Sequence, residues 1–247
     1  MSTSAVNKTP RQEAAPAVGA QRQRGLLVIG AVVVIAVVAV ILIIVLGSAN
    51  AAKVDYATIP QSRTSDGAFV LGNPEAPITL IEFADFACPH CQAYHPTMQQ
   101  FIQEQVVTGK AKFEYRIMPT TGGELSNFTG QLLVCADQLS PGAFWKGKDL
   151  MYNYATTGRY NRDVGRLLAQ DLGISYSDML ACSSDIDQVS IDLALASNMG
   201  VTGTPATMVR YGDGAPQWIS FGGVTYDRGG APINILTSVV NAANQVQ

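Results

Sequence analysis

Two cysteines spaced by two residues, in Cys88-Pro89-His90-Cys91, can pass between a dithiol and a disulfide with no other group taking part. Their surroundings decide how readily they do so. Ile78-Thr-Leu-Ile-Glu-Phe83 reads as a buried strand, and a helix is predicted from about Pro89 to Val107. Cys88 then falls at a helix start, where backbone N–H groups lack partners and the dipole is positive, so a thiolate is stabilised. Pro89 fits the first helical turn, which has no hydrogen bond to lose there. His90 is a candidate third contributor, as a positive charge or a donor beside the sulfur. Each feature lowers the Cys88 pKa and favours the reduced form, which makes the disulfide a stronger oxidant. A zinc site would need further ligands, yet Cys135 and Cys182 stand alone and His95 is the one other histidine. A purely structural bridge over two residues restrains little of the unfolded chain. No metal and no cofactor is expected.

The elements that must position this pair are legible around it. Gly67-Ala-Phe-Val-Leu71 reads as a short strand stopped by Gly72-Asn73-Pro74, and Lys112 to Met118 alternates with period two. From Glu124 to Met199 the pattern turns helical, with helices predicted over 124–139, 143–155, 161–172 and 186–199. Strands return at 206–211 and 217–221, and a last helix spans about 232–243. Without the helical block the order is β-β-α-β, then β-β-α, which signals an α/β crossover unit. The block at about 124–199 is an insertion in it. Aromatic residues Phe144, Trp145, Tyr152, Tyr154 and Tyr160 suit core packing better than a peptide groove.

The N-terminal quarter has a different composition. Residues 1–25 are rich in Ala, Gln, Arg and Pro and are expected to form a disordered cytoplasmic tail. Leu26 to Leu46 is apolar throughout and, at ~1.5 Å per residue, reaches about 31 Å, the thickness of a bilayer core. Its length predicts an uncleaved transmembrane helix, although Ala49-Asn50-Ala51 resembles a cleavage site. Lys8, Arg11, Arg22 and Arg24 precede the run, so the N-terminus stays cytoplasmic and the bulk of the chain faces outward. Residues 47–66 read as a linker and 67–247 as the folded domain. A net charge of −3, with no basic cluster beyond the tail, gives no footprint for nucleic acid. Outside the cytoplasm an even set of four cysteines suggests one close pair and one distant pair, Cys135 with Cys182. Two unpaired buried thiols, or a redox relay, are the alternatives.

Glu82-Phe-Ala-Asp-Phe-Ala-Cys88-Pro-His-Cys91 resembles the active-site strand and helix of the DsbA-like thioredoxin superfamily. Further matches are Glu82, where the family keeps a buried acid, and Pro96, where its active-site helix kinks. Gly203-Thr204-Pro205 is similar to the cis-proline loop that faces the dithiol and binds substrate, and some members carry a second disulfide. The resemblance covers roughly residues 67–245. It implies a thioredoxin-like fold with a helical insertion, here preceded by one transmembrane helix. The implied activity is donation of disulfides to cysteine-containing extracytoplasmic proteins through Cys88 and Cys91, with Glu82 as proton acceptor for Cys91. A membrane partner of the DsbB or vitamin-K-epoxide-reductase type would reoxidise the pair. Thr204 before the proline is also found in isomerases and reductive members, so reduction or isomerisation on the same fold is the alternative. A non-catalytic binding module is disfavoured by the intact Cys-x-x-Cys.

Overall fold

The computed structural model describes residues 54–245 together with Ile35, Val37 and Val38, which are helical. The tail expected over 1–25, and the anchor expected over 26–46 apart from those three residues, lie outside the described residues. Among the described residues no helix is long and apolar enough to cross a membrane.

The unit from Val54 onward is built on one sheet. In chain order its elements are β1 (Gln61–Arg63), β2 (Phe69–Leu71), β3 (Ile78–Ala84), α1 (Pro89–Phe101), β4 (Lys112–Ile117) and α2 (Gly123–Leu139). The insertion continues with α3 (Ala143–Thr156), α4 (Val164–Leu172), α5 (Tyr176–Ser183) and α6 (Gln188–Asn198). The chain then returns to the sheet with β5 (Ala206–Tyr211), β6 (Gln217–Phe221) and β7 (Val224–Tyr226), and ends in α7 (Ile233–Gln245). The strand order is β1-β2-β4-β3-β5-β6-β7, with β3 and β4 parallel and the other neighbours antiparallel.

Every residue of β3 is buried, as a central strand covered on both faces requires. Its side chains alternate between two cores. Ile78, Leu80 and Ala84 join a large cluster with Met98 and Phe101 of α1, Trp145 of α3 and Leu236 of α7. Ile81 and Phe83 join a smaller one with Met118, Ala196 of α6, and Met208 of β5. Glu82 shares the parity of the first set and therefore faces the α1 side. Phe144, Trp145, Tyr152 and Tyr154 are buried, so the aromatic residues of the insertion build core.

A buried guanidinium ties the insertion to the sheet. Arg116 of β4 bonds Asp66 twice (2.7 and 3.1 Å), Glu114 beside it, and Asp192 of α6 (3.0 Å). Arg210 of β5 bonds the other oxygen of Glu114 at 2.8 Å.

The structure departs from the sequence expectations at short elements. The stretch expected as linker over 47–66 contains, from Tyr56 on, a 3-10 turn (Tyr56–Thr58) and the edge strand β1. Three polar residues, all exposed, give β1 no apolar alternation to read. β7 and α5 were likewise unexpected: β7 is three residues long, and α5 buries only Met179 and Ser183. The helix predicted to run to Val107 ends as α-helix at Phe101 and continues as a π turn over Ile102–Val106. α4 begins at Val164 rather than Asn161. Cys182 on α5 forms a disulfide with Cys135 on α2, Cα–Cα 5.8 Å.

Candidate active site

β3 ends at Ala84, and the chain turns through Asp85 to Cys88, which is the N-cap of α1 with extended dihedrals (φ −72°, ψ 119°). Pro89 occupies the first turn, and Gln92 N–H closes the first intrahelical bond on the Cys88 carbonyl at 3.0 Å. Both reactive cysteines are free thiols in this structure. Cys91 is fully buried and Cys88 is 4% exposed, so the pair differs less in exposure than in what surrounds each sulfur. The neighbours of Cys88 in the chain, Pro89 and His90, are exposed.

Burial works to raise the Cys88 thiol, and hydrogen bonds outweigh it. The Thr204 hydroxyl and the backbone N–H groups of Cys91 and His90 hold Cys88 below its ordinary value of 9.0. As a thiol, Cys88 donates to the Thr204 carbonyl at 3.4 Å. A thiolate has no proton for that carbonyl, so the lowering comes from the donors. Residue 90 contributes through its main chain, while its imidazole stands in solvent. Cys91 is pushed the other way. Burial, then the nearby Glu82 and Cys88 charges, raise its thiol well above the ordinary range. One sulfur is thus disposed to be the thiolate and the other to keep its proton.

Glu82 lies on β3 between Tyr115 of β4 and Thr207 of β5 in the sheet register. Burial raises its carboxyl to about 7, with the Lys148 charge pulling down. Its charge in turn raises Cys91, Tyr94, Tyr115 and Tyr152, which places all of them around it. Tyr94, one turn after Cys91, donates to the Ala231 carbonyl at 2.6 Å, and a side chain at Gly230 would strike its ring. The close approach of that Gly229-Gly230 loop keeps Tyr94 over the sheet.

Thr204 and Pro205 begin the return to β5, joined by a cis peptide bond; the Thr204 carbonyl lies 3.4 Å from the Cys88 sulfur, and the Thr204 side chain acts to lower both Cys88 and Cys91. Of the residues singled out from sequence, the structure therefore brings Cys88, Cys91, Pro89, Glu82, Thr204 and Pro205 to one end of the sheet. Cys135 and Cys182 lie apart from them, within the insertion. Pro96 is inside α1. His95 reads from sequence as a helix-surface residue, but it is largely buried between α1 and α3. It stacks on Tyr152 at 4.2 Å, with Nε2 3.5 Å from Asp149. Burial, reinforced by the Lys148 charge, lowers its pKa to about 3.

Three participants escaped the sequence reading. Lys148 is wholly buried, bonded to Asp149 at 2.9 Å and lying over the Tyr115 and Tyr152 rings. Asp85 is 2% exposed, and Thr120 sits 2.7 Å from Thr204, hydroxyl to hydroxyl. The signal for Asp85 was an acid three residues before Cys88 in a stretch that must be buried. Nothing local marks Lys148 or Thr120. Among the described residues no group of three or more His, Cys, Asp or Glu could hold a metal ion.

Comparison with known proteins places this geometry. The Na(+)/H(+) antiporter NhaA 3 of Salinispora tropica is 27% identical over 143 residues, which are 57% of this chain and 21% of that protein. Disulfide bond formation protein D of Bacillus subtilis is 24% identical over 151 residues, 57% of this chain and 66% of that one. The chain therefore spans less than two thirds of the length of either relative. Among solved structures, alpha-DsbA1 of Wolbachia pipientis superposes with a TM-score of 0.61 at 20% identity, over 74% of this chain and 94% of that one. That likeness establishes a thioredoxin-like α/β fold with a helical insertion. The family model described as Thioredoxin matches residues 64–211. Because that stretch runs from the end of β1 to the end of β5, enclosing the dithiol, Glu82 and the Thr204–Pro205 turn, the chain belongs to this thioredoxin family.

Proposed function

We propose that the chain is a thiol–disulfide oxidoreductase that donates disulfides to cysteine-containing extracytoplasmic proteins. The observation that carries this reading is a dithiol whose first cysteine, Cys88, caps a helix N-terminus 3.4 Å from the Thr204 carbonyl beside a cis-proline, with Cys91 and the Glu82 carboxyl buried behind it. These surroundings lower Cys88 and raise Cys91. The name of the Bacillus subtilis relative, a disulfide bond formation protein, supports the same direction.

In the oxidised enzyme a substrate thiolate attacks the Cys88 sulfur of the Cys88–Cys91 disulfide. The S–S bond breaks, a mixed disulfide forms at Cys88, and Cys91 leaves as a thiolate. Protonated Glu82 returns a proton to Cys91, whose raised pKa makes it the better base. A second thiolate of the substrate attacks the substrate sulfur of the mixed disulfide and expels Cys88, which leaves easily because its thiolate is stabilised. Two substrate thiols are oxidised and the enzyme dithiol is left reduced. The Thr204 and Pro205 turn offers backbone groups to the substrate chain beside the sulfur.

The apolar run over 26–46 supports anchoring of the domain at the outer face of a membrane. There a membrane partner of the DsbB or vitamin-K-epoxide-reductase type would reoxidise Cys88 and Cys91. The test is the reduction potential of the Cys88/Cys91 couple. A value of about −120 mV is expected for a donor, and one of about −270 mV would make the protein a reductase. In the same preparation Cys91→Ser should accumulate mixed disulfides with reduced substrate and Cys88→Ser should not. The reverse pattern would exchange the roles of the two sulfurs.

A further inference from the structure

We infer that Asp85 and Thr120 are positioning residues for Cys88: Asp85 fixes the loop before α2 so that the Thr120 hydroxyl directs the Thr204 hydroxyl at the reactive sulfur. The inference deepens the proposed function and rests on Cys88 being the attacked sulfur.

The Asp85 carboxylate is buried and saturated with donors. One oxygen accepts from Ala87 N–H at 2.9 Å and from the Ser126 hydroxyl at 2.6 Å. The other accepts from three successive backbone N–H groups, those of Thr120, Thr121 and Gly122, at 2.8, 2.7 and 3.2 Å. Convergent N–H groups on one carboxylate oxygen hold a loop in a single conformation, and charge-assisted bonds of this kind are the stronger ones. The loop so fixed presents Thr120, whose hydroxyl oxygen is 2.7 Å from that of Thr204 and 3.5 Å from Asp85.

Each hydroxyl has one proton to give, so the chain of bonds has two directions. With Cys88 as a thiol donating to the Thr204 carbonyl, Thr204 donates to Thr120 and Thr120 to Asp85. With Cys88 as a thiolate, both hydroxyls turn over: Thr120 donates to Thr204, and Thr204 to the sulfur. The turn costs little, because it gives up only the 3.5 Å contact and leaves Asp85 its three N–H donors. Receiving a bond from Thr120 polarises the Thr204 hydroxyl and strengthens what it gives the thiolate. The titratable groups nearest Cys88 are Cys91 and His90 on α1 and Asp85 and Glu82 on the chain entering it. The loops carrying Thr120 and Thr204 add none, since residues 118–122 and 200–205 contain no ionisable side chain. A change at Thr120 thus alters the hydroxyl and no charge.

The experiment follows thiolate absorbance of the reduced full chain against pH in the parent, Thr120→Val, Thr120→Ser and Asp85→Asn. Thr120→Val should raise the Cys88 midpoint by about half to one pH unit, a roughly three- to tenfold loss of alkylation rate below the midpoint. Thr120→Ser, which keeps the hydroxyl, should titrate with the parent. Melting temperature should not separate the two Thr120 variants. Asp85→Asn, where it folds, should shift in the direction of Thr120→Val, but the Thr120 pair alone decides. A Thr120→Val midpoint equal to the parent's overturns the inference, as does a Thr120→Ser midpoint shifted equally. Disulfide donation by the parent is measured alongside. Loss of that activity with the Thr120→Val shift intact removes the proposed function and leaves the inference standing. Full activity with an unmoved midpoint does the opposite.

Discussion

Glu82 binds its proton in the folded chain up to about pH 7, whereas an exposed carboxyl of its kind loses it near 4.5. Between those values the folded state holds more protons than the unfolded one. Stability attributable to Glu82 is therefore intact at and below pH 4.5 and falls as pH rises toward 7. At 1.36 kcal/mol per unit the full cost is roughly 3 kcal/mol. Glu82→Gln should accordingly melt with the parent at pH 4 and well above it at pH 8, while exchanging disulfides more slowly because Cys91 has lost its proton source. Melting curves at the two pH values, run beside an exchange assay, check both halves. A variant that melts below the parent at pH 8 and exchanges at the parent's rate would remove Glu82 from the mechanism. Lys148 belongs to the same chemistry, since its buried charge is what keeps the Glu82 value from climbing further. In sequence a lysine in a helix of mixed character reads as solvent-facing, and so the residue went unmarked.

Among elements, the join between β4 and α6 is the one whose failure should be most visible. Arg116, Glu114 and Asp192 are all but inaccessible to solvent, and each carboxylate has its charge answered by a guanidinium. Arg116→Ala would leave Asp192 without its directly bonded cation, with Arg63 the remaining positive charge near it, and Glu114 with Arg210 alone. Breaking a buried pair in this way costs about 3–5 kcal/mol, because the uncompensated charge remains inside. Equilibrium denaturation of Arg116→Ala should show a loss of that size. A loss below about 1 kcal/mol would mean that water reaches the cluster. The same join shows where sequence reading stops. β3, α1, β4 and the block of helices announced themselves by periodicity and by Pro89 at a helix start. Arg116 and Asp192 stand 76 positions apart, and only the folded path brings them to 3.0 Å. Asp85 and Thr120 escaped for the same reason: the first lay inside a quoted motif, yet its partners come from a loop 35 residues on. β1, β7 and α5 escaped for another, being too short for either a two-residue or a 3.6-residue repeat to declare itself.

For the molecule as a whole, the cooperative unit begins before the stretch that looked like domain. Tyr56 is buried and donates to Asp149 on α3 at 2.7 Å, β1 pairs with β2, and Asp66 supplies two of the bonds to Arg116. A soluble fragment starting at Val54 should therefore melt several degrees higher than one starting at Gly67, with the Cys88/Cys91 couple present in both. Equal melting temperatures would return residues 54–66 to the role of a tether.

The contact between Thr120 and Thr204 has a further consequence. These residues stand at the two feet of the insertion, one just before α2 and the other just after α6. Everything between them is a long excursion whose ends are fastened together beside the reactive sulfur. A closed base of this kind lets the outer part of the excursion vary without disturbing what lies beneath it. α5 is held to α2 by the Cys135–Cys182 bond, and the turn joining α3 to α4 is exposed. A designer seeking to attach a new recognition surface would graft at the exposed turn 157–159 rather than at the feet, because α4 just beyond it gives Val164, Leu168 and Ala169 to the core.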